Sequence, residues 1–213
     1  LLRLADAPQT QTRLWLIYVA AAAAALYTHY FALFLLLGLG CAWLLEMRPR
    51  PGARRAIGLY AAANAAVALL YLPWMAIVWA QLRVDRSYWL GDLKLQEATL
   101  DVALRFSSGE TMAERTALWL LLPYAAITLL ACVALVRQAR QARRLLVYAG
   151  FWLLAPVVAV LALALNIPKF NPRYVMLALP GLLLLWAGGL AALASGREGI
   201  GRPVSWRNLV SKP

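Results

Sequence analysis

A short polar turn in the last quarter of the chain holds residue types that could bind an anion. The turn runs from Asn166 to Tyr174 and contains two prolines, whose fixed backbone torsion stiffens it. It also holds Lys169 and Arg173, between two apolar runs. Arginine can bind a phosphate with two parallel hydrogen bonds, and lysine acts as a point charge. The pair therefore predicts a phosphate-binding site, with contact to ordinary phospholipid headgroups as the alternative.

The lone histidine, His29, lies in the polar tetrapeptide Tyr27–Tyr30, in the middle of a long apolar run. An imidazole whose ordinary pKa is about 6.5 can serve as a general base or a proton shuttle. It can also be a polar cap that forms a hydrogen bond at a helix end, and we favour that role. The tyrosines beside it have the amphipathic rings typical of membrane interfaces.

The segment from Gln81 to Glu114 holds six of the nine acidic residues. A carboxylate there could deprotonate an acceptor, but basic residues share the segment, so most of these charges are expected to form a solvated face. Within it, Asp85–Trp89 places aromatic rings beside polar groups, which suits sugar binding. Two isolated cysteines, Cys41 and Cys132, and one histidine make no metal motif, so no metal site is expected.

The composition indicates the kind of element that must position these residues. The chain has 213 residues and is 63% hydrophobic and 14% charged, with a mean hydropathy of +0.68. Soluble domains are about 45–50% apolar and about 25% charged, so lipid must cover the excess apolar surface. The net charge of +12 does not indicate nucleic-acid binding, because the basic residues flank apolar runs and form no separate basic domain.

Four apolar runs match the roughly 20 residues that a membrane-spanning helix needs, at positions 57–80, 116–136, 145–165 and 174–194. The first run, 14–45, would be about 48 Å long as one straight helix, which exceeds a hydrocarbon core of about 30 Å. We therefore predict a hairpin of two spans, 14–26 and 30–45, with one long tilted helix as the alternative. The prediction is an all-α transmembrane bundle of about six spans over residues 1–196.

The charges are sorted along the chain, and the sorting predicts the orientation of the bundle. Arginine is concentrated in Arg48–Arg55, in Arg137–Arg144 and in the tail 197–213. Because lysine and arginine resist translocation, basic loops mark the cytoplasmic side. We expect a multi-pass protein of the plasma or inner membrane with a cytoplasmic C-terminal tail. Loop 81–114 then lies outside, on the same side as His29 and Arg173.

The outer loop is predicted to contain an amphipathic helix. Leu93, Leu100 and Leu104 fall on one helical face, with Val102 and Phe106 beside it, and Ser107–Gly109 provides a stop signal. Such a helix would lie flat on the outer membrane surface or cover a cleft.

Three motifs then carry a family resemblance. They are Tyr27–Phe31 before a glycine-punctuated apolar helix, Tyr71–Trp74 before a polar outer loop, and Asn171–Tyr174 before an apolar helix with Pro180. Their order resembles bacterial glycosyltransferases of the integral-membrane C superfamily. The similarity is to the branch related to protein O-mannosyltransferases and the lipid A aminoarabinose transferase.

That resemblance implies transfer of a sugar from a polyprenyl-phosphate carrier to an acceptor glycan, lipid or protein at the outer membrane face, with no covalently bound cofactor. By analogy, Lys169 and Arg173 would bind the carrier phosphate, while His29, Tyr30 and Tyr174 would line the same cavity. The family's catalytic acid lies in a first outer loop that precedes this sequence, so we expect a fragment whose catalytic residue is unassigned. A transporter or flippase and a non-catalytic membrane module are the alternatives.

Overall fold

The computed structural model of the protein describes residues 1–6, 12–84, 94–109, 111–138, 140–166 and 170–195. Over these ranges the chain is helical and forms no strand. The α-helices are α1 (Leu2–Asp6), α2 (Thr12–Thr28), α3 (Ala32–Met47), α4 (Ala53–Tyr71), α5 (Met75–Val84), α6 (Leu95–Ser108), α7 (Glu114–Arg137), α8 (Arg140–Asn166) and α9 (Leu179–Ser195). Two 3-10 helices, Leu72–Trp74 and Pro172–Ala178, precede α5 and α9.

Within the described residues, four helical segments are long and apolar enough to cross a membrane, which supports the predicted all-α membrane bundle. They are Ala53–Gln81, Glu114–Arg137, Ala142–Leu165 and Pro172–Ala194, and they cover the four long runs found in the sequence. Pro73 divides the first of them, because proline has no backbone donor for the helix ladder, and the chain passes through the 3-10 turn there.

The predicted count of six spans is wrong, because the first two predicted spans are too short by the same measure of length. The first apolar run breaks at residues 29–31 into α2, of 17 residues, and α3, of 16 residues. At 1.5 Å per residue these helices are about 26 Å and about 24 Å long, short of a hydrocarbon core of about 30 Å. The single long helix is also wrong, because the helix that ends at Thr28 does not continue.

Contacts between rings and hydrogen-bonding groups show how the first helices run. The Trp15 and Trp43 rings lie 6.0 Å apart, so the start of α2 meets the end of α3 and the two helices fold back on each other. At the other end of α2, the Tyr27 hydroxyl donates to the Leu70 carbonyl oxygen at 2.8 Å. Helices α2 and α4 therefore run in the same direction. We call the end with Trp15 and Trp43 the arginine-rich end and the end with His29 the aromatic end.

Helix α8 lies between α3 and α9, and glycines allow the close approach on both sides. A Cβ atom added at Gly181 of α9 would lie 2.7 Å from the Leu153 backbone nitrogen and 2.9 Å from the Ala149 carbonyl oxygen. One added at Gly38 of α3 would meet Ala155 and the Phe151 backbone. Neither point has room for a side chain. Small residues bring helices together in membranes in this way.

Small residues fill much of the contact between α7 and α9, and many leucines of the bundle face outward. Ala131, Ala134 and Ala178 are buried, whereas Leu122 and Leu129 are 64% and 66% exposed. Lipid tails are as apolar as leucine, so an outward leucine costs nothing in a bilayer, and close helix packing selects the small side chains.

Helix α6 packs across the aromatic end and ends at Gly109, whose φ of 77° requires the left-handed conformation that glycine favours. The helix is amphipathic as predicted. Val102 and Phe106, which the sequence placed beside the leucine face, pack against the bundle together with Ala98, whereas Leu100 of the predicted leucine face is 39% exposed. Leu93 lies outside the described residues.

The arginine-rich end carries a shared ion-pair network. The Glu46 carboxylate accepts from the Arg144 guanidinium at 2.9 Å and from the Tyr148 hydroxyl at 2.8 Å, and it also pairs with Arg50. Arg144 reaches Asp6 at 2.8 Å as well. The network joins α1, α3 and α8.

Candidate functional site

The turn between α2 and α3 presents His29 at the aromatic end. Its backbone is held from both sides: the His29 amide donates to the Ala25 carbonyl at 3.0 Å, and the Ala32 amide donates to the His29 carbonyl at 2.8 Å. The turn therefore continues the hydrogen-bond ladder of α2 and starts that of α3. Tyr27 and Thr28, which the sequence placed in the turn, belong to the last turn of α2.

The His29 side chain also forms part of this turn. Its Nδ1 accepts a hydrogen bond from the Phe31 backbone amide at 3.2 Å, as a polar cap does. Burial lowers the pKa of His29 below its ordinary value because it disfavours the charged imidazolium. With Nδ1 accepting, the neutral ring carries its proton on Nε2. The imidazole can therefore donate a hydrogen bond from Nε2 to a ligand, whereas its acceptor nitrogen, Nδ1, is engaged by the Phe31 amide.

The second part of the site is the 3-10 helix Pro172–Ala178 ahead of α9. The Asn171 side chain accepts from the Arg173 backbone amide at 2.9 Å, and the Tyr174 amide donates to the Asn171 carbonyl at 2.9 Å. Pro172 stands in the first turn, where its missing donor costs nothing. This cap holds the backbone at Arg173 and Tyr174, and so sets the points from which their side chains project.

The two parts meet through aromatic rings. The Tyr174 ring is 4.9 Å from the Phe31 ring and 6.2 Å from the His29 ring, edge to face in both cases. Tyr30 lies 5.4 Å from His29. Three predicted site residues, His29, Tyr30 and Tyr174, are therefore neighbours in space although 144 positions separate Tyr30 from Tyr174 (174 − 30). Arg173 precedes Tyr174 and is exposed.

A buried apolar layer supports this cluster from beneath. Phe31, Phe170 and Val175 are 5%, 1% and 0% exposed, and they pack with Ala98 and Val102 of α6. Trp152 of α8 donates its indole N–H to the Leu177 carbonyl at 2.9 Å, which ties the 3-10 helix to the bundle. The half-buried rings of His29, Tyr30 and Tyr174 and the exposed Arg173 therefore stand on a packed base.

The other predicted positions at this end lie outside the described residues. These are Lys169, the partner proposed for Arg173, and the segment Asp85–Trp89. Carboxylates on α6 are in ion pairs with cations of the same helix: Glu97 with Lys94 at 2.9 Å and Asp101 with Arg105 at 3.0 Å. Over the described ranges, no group of three or more metal-ligating side chains comes together.

The sequence did not single out Phe31 or Phe170 as site residues, although they form the base of the cluster. Phe170 sits between the polar residues of the Asn166–Tyr174 turn. A phenylalanine placed between polar residues in a proline-containing turn is a signal that could have identified it.

These features define the class of the protein as an all-α bundle with four helices able to cross a membrane. Comparison of the chain with protein-family models, with curated proteins and with solved structures found no match. The function therefore has to be argued from the site itself.

Proposed function

We propose that the protein is a multi-pass membrane glycosyltransferase, or the carrier-binding part of one, that takes a sugar from a polyprenyl-phosphate carrier at the aromatic end. The observation that carries the proposal is the meeting of His29, Tyr30 and Tyr174 beside the exposed Arg173. It joins two of the three motifs on which the family resemblance rests. Membrane lipid surrounds the bundle, and the acceptor is a glycan, a lipid or a protein.

The groups suit the charge that develops when a sugar leaves a phosphate. As the bond between the sugar carbon and the phosphate oxygen breaks, negative charge grows on the carrier phosphate. Arg173 would stabilise that charge through hydrogen bonds that strengthen in the transition state. Lys169 is assigned the same role from the sequence. The neutral His29 would donate from Nε2, and the Tyr30 and Tyr174 rings would pack against the sugar or the first prenyl unit.

The proposal assigns no catalytic base. Transfer requires removal of a proton from the acceptor hydroxyl or amine, and the α6 carboxylates are engaged in ion pairs with Lys94 and Arg105. His29 Nδ1 is engaged by the Phe31 amide. The proposal therefore leaves the catalytic base unassigned.

The test is transfer of labelled sugar from polyprenyl-phosphate donors by membranes that contain the full-length protein with Arg173→Ala. Loss of one transition-state donor typically lowers kcat about 100- to 1,000-fold, and we expect a fall of that order. Arg115→Ala is the matched control, because Arg115 is an exposed arginine in the first turn of α7 at the same end. Unchanged activity and carrier affinity in Arg173→Ala would remove the assignment.

A transporter or flippase is the second candidate, and one contact favours it. Tyr18 of α2 donates to the Asn64 side-chain oxygen at 3.0 Å within the helical part of the bundle, and polar groups inside spanning helices often mark substrate paths. The Asn64 amide nitrogen donates to the Tyr60 carbonyl of its own helix at 2.8 Å, so this side chain is satisfied without a substrate. Substrate-dependent uptake in liposomes would support the transporter.

A further inference from the structure

A groove on the lipid-facing side of the bundle lies outside the candidate site. Its volume is about 500 Å³, within the range of about 300–1,000 Å³ typical of ligand pockets. One wall is α2, with Ile17 and Ala21; the other is α9, with Leu184. Helices α3 and α8 form the floor, and α1 closes the groove at the arginine-rich end.

The groove opens sideways towards the bilayer. Ile17 is 52% and Leu184 40% exposed, although both line it. Leu184 belongs to a helix long and apolar enough to cross a membrane. Because the lining is almost wholly aliphatic or aromatic, a hydrocarbon chain is the chemistry that fills such a space without leaving a polar group unpaired.

A cation stands at the closed end. Arg3 of α1 lines the groove and is exposed, and the ion pairs of the described residues do not include it. Arg144, which lies nearby, is instead held between Asp6 and Glu46. Among the described residues, the groove thus combines an apolar channel with an arginine that no carboxylate pairs with.

We propose that this groove holds an acyl chain of an anionic phospholipid, with the lipid phosphate bound by Arg3. Basic pockets between membrane helices bind anionic lipid headgroups, and an acyl chain from the leaflet at the arginine-rich end would enter the channel through the opening between α2 and α9. The site is at the opposite end of α2 from His29. The inference therefore stands independently of the proposed glycosyl transfer.

The experiment is native mass spectrometry of the purified protein after exchange into phosphatidylglycerol or phosphatidylcholine of the same chain length. We expect phosphatidylglycerol to be retained about fivefold better, in keeping with one cation at a membrane surface. Arg3→Gln should remove that preference while it keeps acyl-chain binding. Arg54→Gln is the control, since Arg54 is exposed near the same end and does not line the groove.

A second variant tests the groove itself. Ala21→Trp places a large side chain into the channel from an exposed position, so it should remove retention of both lipids without unfolding the protein. Ala65→Trp is its control on the exposed side of α4. Equal retention of the two lipids by the unaltered protein would overturn the proposal. So would full retention by Ala21→Trp, or crosslinking of a cysteine at position 21 to another polypeptide rather than to lipid.

Discussion

The two ends of the bundle handle charge in opposite ways. At the arginine-rich end, the Glu46 carboxylate is shared by Arg144, Arg50 and the Tyr148 hydroxyl. At the aromatic end, a neutral histidine is packed among rings and Arg173 is exposed. Charges at the first end hold helices together, whereas the polar groups at the second stand on a buried apolar base. The binding site that we propose lies at the aromatic end.

Removal of the shared carboxylate should have the largest effect on stability. Glu46→Ala leaves two guanidinium groups facing each other, and loss of one partner from a buried ion pair costs about 3–5 kcal/mol. The Glu46 and Arg144 side chains are 15% and 21% exposed, so solvent screens part of their electrostatic interaction. We expect the free energy of unfolding, measured by steric trapping in bicelles, to fall by about 3 kcal/mol.

Glu97→Ala is the matched control for that carboxylate at the aromatic end. Its pair with Lys94 is 57% and 73% exposed, and exposed pairs contribute about 0–1 kcal/mol. Equal losses in Glu46→Ala and Glu97→Ala would contradict the contrast between the two ends.

The contact between α8 and α9, which helps to connect the two ends, should be sensitive to added side-chain volume. Gly181→Leu puts a side chain against the Leu153 and Ala149 backbone, and overpacking of this kind costs about 1–3 kcal/mol. Gly150→Ala is the control in α8, because nothing lies within 4 Å of an added Cβ atom there. It should be neutral or stabilising by up to about 1 kcal/mol, in the same unfolding assay.

Two tyrosine hydroxyls allow a finer comparison of the ends. Tyr148→Phe removes a donor to the Glu46 carboxylate, and hydrogen bonds to charged groups contribute about 1.5–3 kcal/mol. Tyr27→Phe removes a donor to the Leu70 carbonyl at an exposed position, where about 0.5–1.5 kcal/mol is typical. We expect the larger loss of unfolding free energy in Tyr148→Phe, and the reverse order would contradict the contrast between the two ends.

The smallest expected effect is a dependence of stability on pH from His29. Burial lowers its pKa in the folded protein, so the folded state binds the proton less readily than the unfolded state, whose pKa is about 6.5. Its contribution is therefore fully present above pH about 6.5 and is lost as pH falls through the lower folded pKa. His29→Gln should flatten the stability profile over that interval. An unchanged profile would show that His29 is not the group responsible.

Sequence patterns predicted the helical elements well and their faces poorly. Apolar run length located the four spanning helices, and the polar tetrapeptide Tyr27–Tyr30 predicted the break after α2. The face of α6 was harder to predict, because its buried side is formed by Ala98 and Val102 while Leu100 is 39% exposed. Which side of the helix meets the bundle depends on the tertiary packing, which the local pattern does not report.

The candidate site was predictable only in part. The Arg173 turn and His29 were identified by residue type, but their meeting depends on α3 and α9 both packing on α8, which no local pattern reports. Glu46 was overlooked because it appeared as one acid beside an arginine cluster. Its spacing of four residues from Arg50 was the available signal.

The proposed binding of a polyprenyl phosphate at the aromatic end can be measured directly. The most direct measurement is the dissociation constant of a fluorescent polyprenyl phosphate for the protein in nanodiscs, compared between Arg173→Ala and Arg54→Ala. Because a hydrogen bond to a charged group contributes about 1.5–3 kcal/mol, the Kd should rise tenfold or more, roughly, in Arg173→Ala. It should stay unchanged in Arg54→Ala, at the arginine-rich end. Equal effects of the two substitutions, or a loss of binding confined to Arg54→Ala, would contradict the account.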